Sequence, residues 1–234
     1  MRLSTISYTN PGGRTPNEDA LKYEVEGENG SWAVADGLGG HVGGETASQL
    51  AVAEAISNAN LGRSMSAEEI EAIYSGINAK IFTENGPRTT LTTAYLANGE
   101  FRFANIGDTR LYFFRKGELF QRTADHSAAY GAYASGEMDY GDLRFHPDRS
   151  RLSRAIGVTD KVTAQVYPII VPEPGDAFLI CTDGFWEYIF ETEMEIDLLK
   201  SATPKDWVDF MLLRIVRRMK VDCDNFSAIA TLIQ

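Results

Sequence analysis

The chain has 234 residues, 44% hydrophobic and 24% charged, and a net charge of −11. That length and composition fit one well-buried globular core, so a single domain over 1–234 is expected. The acidic balance argues against non-specific contact with nucleic acid or an anionic membrane, because both need a basic surface. Two cysteines, Cys181 and Cys223, are too few for a disulfide framework, and three histidines give little support to a zinc site. No run of about 18 apolar residues and no charged-then-apolar leader is present, so a cytoplasmic monomer is expected.

In chain order, Leu3–Tyr8 alternates weakly as an edge strand, and Asn10-Pro11-Gly12-Gly13 is a turn that delivers Arg14. Residues 20–26 and 31–36 read as a hairpin joined across Glu28-Asn29-Gly30. A helix follows from about Gly44 to Asn58, with Ala47, Leu50, Ala51, Val52, Ala55 and Ile56 on its apolar face. Ser66 and Glu69 form a capping box for a second helix carrying Ile70, Ile73, Tyr74, Ile77 and Ile81. Strands are then expected at 88–97, 100–106, 109–115 and 118–123, and their short turns imply an antiparallel meander. Residues 127–150, rich in Ala, Gly, Tyr and acids, read as a flap or short helical insertion. Strands resume at 162–171 and 176–182, and a helix follows at 191–202. The next helix, 204–220, is capped by Thr203 with Pro204 in its first position, and 226–233 closes the chain as a strand. Hairpin-paired strands with helices in two blocks argue for antiparallel sheet covered by helices.

Acids stand at strand ends four times: Glu18 and Asp19, Asp36 after Trp32-Ala33-Val34-Ala35, Asp183 after Leu179-Ile180-Cys181-Thr182, and Asp224 before the last strand. The glycines after Asp36 allow close approach of the main chain to a ligand. Carboxylates brought together repel unless cations bridge them, and all-oxygen sets suit Mg²⁺, Mn²⁺ or Ca²⁺. A hard divalent-metal centre is the first expectation.

Eight short motifs occur in one order: Gly12–Asp19, Asp36-Gly37-Leu38-Gly39-Gly40-His41, Thr89-Thr90, Gly107-Asp108-Thr109-Arg110, Ala124-Asp125-His126-Ser127, Leu152–Gly157, Thr182-Asp183-Gly184 and Asp224-Asn225. Together they resemble the bacterial branch of the metal-dependent protein serine/threonine phosphatases of type 2C, over about residues 3–233. The resemblance implies an α+β fold, a four-layer α-β-β-α sandwich of two stacked, mainly antiparallel sheets with a short flap insertion. It implies two Mn²⁺ or Mg²⁺ ions and hydrolysis of phosphoserine or phosphothreonine by a hydroxide between them, opposing a bacterial serine/threonine kinase. In that reading Asp36 bridges the metals, and the Gly37 carbonyl and Glu18 join one of them. Asp183 and Asp224 hold the other metal, and Asp19 stands behind the ligands. Arg14 matches the phosphate-binding arginine, since its planar fork donates to two oxygens at once. Asp108 resembles the position that joins a weaker third metal, and reads equally as a polar turn residue.

Three departures stand out. Many eukaryotic relatives carry a general-acid histidine directly after Asp-Gly, where this chain has Leu38. His41, His126 and His146 read better as packing, turn and flap-surface residues. The usual Met-Gly-Thr-Thr is Pro87-Arg88-Thr89-Thr90, a change expected to alter packing more than chemistry. Two alternatives stand beside the phosphatase reading: a catalytically weak module that binds phosphorylated segments, and a hydrolase of small phosphoesters.

Overall fold

The computed structural model describes residues 1–39 and 43–234. Its first half runs β1 (Leu3–Asn10), β2 (Asp19–Glu26), β3 (Asn29–Leu38), α1 (Gly44–Ser57), α2 (Ala67–Ile81), β4 (Arg88–Thr89), β5 (Leu91–Ala97) and β6 (Glu100–Ile106). The second half runs β7 (Arg110–Arg115), β8 (Glu118–Arg122), α3 (Ala128–Ala134), α4 (Tyr140–Leu143), β9 (Gln165–Val166) and β10 (Ala177–Cys181). It ends with α5 (Asp183–Trp186), α6 (Glu191–Leu199), α7 (Pro204–Arg218) and β11 (Phe226–Ile233). Among the described residues one sheet has the order β1-β11-β10-β7-β8 and the other β2-β3-β5-β6-β9, with β4 joined to β3. Their pairings are antiparallel.

The two-residue period of each strand sorts side chains into separate buried layers. In β3, Trp32 and Val34 face the other sheet, while Ala33 and Ala35 pack with Ala47, Ala51 and Ile70 of the first helix pair. In β10, Phe178 and Ile180 join the layer between the sheets, while Leu179 and Cys181 meet Trp207 and Met211 of α7. Strands covered on both faces are buried at every position, as the LTTAYLA and AFLIC segments are. The result is the expected α+β sandwich with helices outside each sheet. Helix boundaries follow the caps: Ser66–Glu69 and Thr203–Asp206 both form complete capping boxes.

Three local expectations are corrected. β6 and β7 do not pair; Gly107, at φ 102°, lets the chain cross from one sheet to the other there. The strand expected over 88–97 breaks at Thr90, where the Asp36 N–H donates to the Thr90 hydroxyl at 2.8 Å in place of the ladder carbonyl. The strand expected over 162–171 shrinks to Gln165–Val166 and an isolated bridge at Ile170, because Pro168 has no N–H to offer a ladder. Within 127–150 the chain forms the short helices α3 and α4.

Candidate metal centre

Register brings the acids of both sheets to one end of the sandwich. Asp19 opens β2 directly opposite Asp36 in β3. In the other sheet Cys181 pairs with Ala228, and the Thr182 N–H donates to the Ser227 carbonyl at 3.0 Å, so Asp183 leaves β10 beside the segment that leads into β11. Asp108 lies on the crossing between the sheets. Arg14, Glu18, Asp36, Gly37, Asp108, Asp183 and Asp224 accordingly line one cleft of about 180 Å³, together with Leu38, Ser150, Leu152 and Asn225.

The main chain around these acids is tied down. The Asp36 N–H donates to Thr90 Oγ1 at 2.8 Å, and Thr89 Oγ1 donates to the Asp36 carbonyl at 2.9 Å. The Glu18 N–H donates to Asn225 Oδ1 at 2.9 Å, and Asn225 Nδ2 donates to the Pro11 carbonyl at 2.8 Å. Asn225 thus joins the arginine turn to the strand start that carries Asp224. Gly12 has φ +61°, and a Cβ there would stand 2.2 Å from the Asp224 carbonyl oxygen, so only glycine lets the two loops meet. On the opposite side, Trp186 Nε1 donates to the Asp108 carbonyl at 2.9 Å. The buried Arg110 stacks over Trp186 at 3.5 Å and grips Asp125 with two bonds of 2.7 and 2.6 Å.

Crowding of acids leaves an electrostatic signature. Burial, then the charges of Asp183, Asp19, Asp108 and Asp224, push the Asp36 carboxyl well above its ordinary value. Burial followed by Asp108 does the same to Asp183. Asp19 and Asp108 are each raised to about 7, chiefly by burial. Asp36 keeps an edge open to the cleft, so a cation could reach its carboxylate.

The donor set fits hard divalent cations. Asp19 Oδ1 and Asp183 Oδ1 are buried with no hydrogen-bond partner in the protein; the rest of the cleft offers carboxylates and a glycine carbonyl, with no sulfur or imidazole among its described lining residues. Among the described residues no three acids are already drawn onto one liganding point.

Of the expected site residues, Asp19 lies behind the cleft and its Oδ2 accepts from Thr182 Oγ1 at 2.9 Å. Arg14 is 60% exposed and contacts Asp224 Oδ2 at 3.1 Å. His126 is buried: Nδ1 accepts from the Gly107 N–H at 3.1 Å while Nε2 meets Gln165 Oε1 at 3.0 Å, which makes it a loop fastener. Burial holds its imidazole below the ordinary value. His146 fastens its own turn through the Asp148 N–H at 3.1 Å. Gly40 and His41 lie outside the described residues. Both cysteines are free and buried. Sequence reasoning missed Ser150 in the cleft wall and gave Leu152, Thr182, Arg110 and Trp186 no part. Leu152, Thr182 and Arg110 stand inside the quoted motifs, which is the available signal.

The sequence model of the family Protein phosphatase 2C matches residues 12–220. The serine/threonine phosphatase stp of Listeria welshimeri is 38% identical over 182 residues, which is 72% of this chain and 71% of that protein. The crystal structure of the Mycobacterium tuberculosis serine/threonine phosphatase PstP/Ppp superposes with a TM-score of 0.85 at 25% identity, covering 100% of both chains. A PstP catalytic domain solved with 2 manganese ions has a TM-score of 0.83 at 23% identity, covering 99% of both chains. The chain belongs to the protein phosphatase 2C family of serine/threonine protein phosphatases.

Proposed function

We propose that the protein hydrolyses phosphoserine and phosphothreonine in proteins with Mn²⁺ or Mg²⁺ held in the acid cleft, and that it opposes a serine/threonine kinase. The observation that carries the reading is the convergence of Glu18, Asp36, Asp183 and Asp224 on one cleft with Arg14 at its rim. A structural relative solved with 2 manganese ions supports the choice of metal.

In this reading Asp36 with Glu18 and the Gly37 carbonyl would hold one cation, and Asp36 with Asp183 and Asp224 the other. Asp108 would serve a weaker third. When bound, such cations supply positive charge to the phosphoryl group and make water a stronger nucleophile near neutral pH. Arg14 orients the phosphoryl oxygens with its two-toothed fork, exchanging its contact with Asp224 for them. Asp19, gripped by Thr182, fixes the strand pair that carries Asp36. Leu38 has no proton to give, so the leaving alkoxide takes its proton from solvent or from another group. Residues 127–150 are read as the flap, and Ser150 brings its end into the cleft wall.

A phosphothreonine peptide is expected to lose phosphate only with Mn²⁺ or Mg²⁺ added, and a chelator is expected to stop the reaction. Asp36→Asn should lower turnover by more than about 100-fold, the upper end of what loss of an outlying partner of a metal ligand costs. Metal-independent turnover, or a fully active Asp36→Asn variant, would refute the reading. A small aryl phosphate turned over far better than any phosphopeptide would favour a small-phosphoester hydrolase instead.

A further inference from the structure

The acid cleft opens into a groove of opposite charge. A hollow of about 470 Å³ shares Leu38, Gly39, Ser150 and Leu152 with the cleft wall. That hollow in turn shares Ser153, Ala155 and Val158 with a second one of about 420 Å³. Among the described lining residues of both, the charged ones are Arg88, Arg154 and Lys161, and no carboxylate is present. This occurs in a chain with 33 acids and 22 lysines and arginines. All three cations are exposed. Among the described residues none of them is in an ion pair, as is also true of Arg2, Lys22, Arg102, Lys116, Arg151, Arg217 and Lys220; what sets the three apart is their place along one groove whose described lining has no carboxylate.

Arg88 has a particular place. It pairs in register with Leu38, the residue after Gly37. Side chains at such facing positions start roughly 5 Å apart, so Arg88 stands at the mouth of the cleft. It replaces the glycine of the Met-Gly-Thr-Thr motif, so the change bears on charge at the mouth as well as on packing. Arg154 and Lys161 lie further along the groove. A substrate segment leaving the cleft in extended form advances about 3.3 Å per residue. It would pass Arg88 first and the other two cations after it. The cleft carboxylates disfavour an acidic segment until cations neutralise them, so attraction for such a segment has to come from the groove.

We propose that Arg88, Arg154 and Lys161 select phosphoproteins with anionic residues, carboxylate or a second phosphoryl group, beside the phosphoresidue that is hydrolysed. Arg88 is the specificity-determining residue nearest the reaction. The proposal rests on the phosphoprotein reading of the cleft. Each solvent-exposed ion pair contributes up to about fivefold, so the three together are expected to give about tenfold. Added salt weakens the effect.

The test compares kcat/KM, with manganese, for three phosphothreonine peptides of equal length: neutral flanks, aspartate flanks, and a second phosphothreonine. The expected result is a preference of about tenfold for the anionic peptides, carried in KM and shrinking at high salt. The aspartate and second-phosphate arms show which anion the groove favours, and a preference for either supports it. Arg88→Glu should bring the anionic-to-neutral ratio to about one or below, and Arg154→Glu with Lys161→Glu should move it the same way. Arg88→Ala serves as the milder second variant. A purely structural role would lower all three peptides together and leave the ratio alone. Equal efficiency on all three peptides in the wild type, or an unchanged ratio in both charge-reversed variants, would overturn the groove and leave the phosphatase reading standing. No hydrolysis of any of the peptides would overturn that reading and the groove with it.

Discussion

Asp36 shows what the site asks of a single residue. Its carboxyl is pushed upward by burial and by four neighbouring acids, so its ionised form opposes folding when no cation is present. Asp36→Asn should therefore do two opposite things: abolish turnover, and raise the thermal midpoint of the chelated protein by about 2–4 °C for each kcal/mol of repulsion relieved. Calorimetry in chelator reads the second effect independently of activity, and an unchanged or lowered midpoint would contradict the crowding. The same physics sets a pH dependence. Asp19 and Asp108, raised to about 7, bind protons more tightly folded than unfolded. The stability they confer is full below the unfolded carboxylate value, about 3.9, and is lost as pH rises toward and through 7. Chelated protein should thus lose stability between about pH 4 and 8, and saturating Mn²⁺ should flatten that slope. Denaturant midpoints measured across this range check the sign.

Elements decide where those residues go, and their legibility differed. Helices α2 and α7 were readable because caps are local signals, Ser66–Glu69 and Thr203–Asp206 closing boxes within one turn, and α1 by its apolar spacing alone. Thr203→Ala removes a cap far from the acid cleft and should cost about 0.5–2 kcal/mol in unfolding free energy while leaving kcat unchanged; chemical denaturation beside a peptide assay measures both. The break at Thr90 was not readable. Side-chain alternation across 88–97 says nothing about a threonine hydroxyl that takes the Asp36 N–H from the ladder. Gly107-Asp108-Thr109 looks locally like a hairpin turn, and only the pairing of β7 with β10, far along the chain, sends it across to the other sheet. The acids at Glu18, Asp36, Asp183 and Asp224 were readable because each stands at the end of an apolar or alternating run. Ser150 was not, since nothing in a loop's composition tells which wall it completes.

At the scale of the molecule, two sheets stacked face to face put the end of β3, the end of β10, the start of β2 and the approach to β11 at one rim. The layer between them, with Trp32 edge-on to Phe178 at 4.9 Å, fixes how the two rims meet. Acids far apart in sequence are thereby held in one cleft by packing that lies well below it, and among the described helices none is long and apolar enough to cross a membrane. Whether that rim holds a pair of cations is open to direct observation by anomalous scattering from crystals grown with manganese. Two manganese peaks in the cleft, one contacting Asp36 and Glu18 and the other Asp36, Asp183 and Asp224, are expected. A cleft without manganese in crystals of protein that still hydrolyses phosphothreonine would contradict the assignment of these acids.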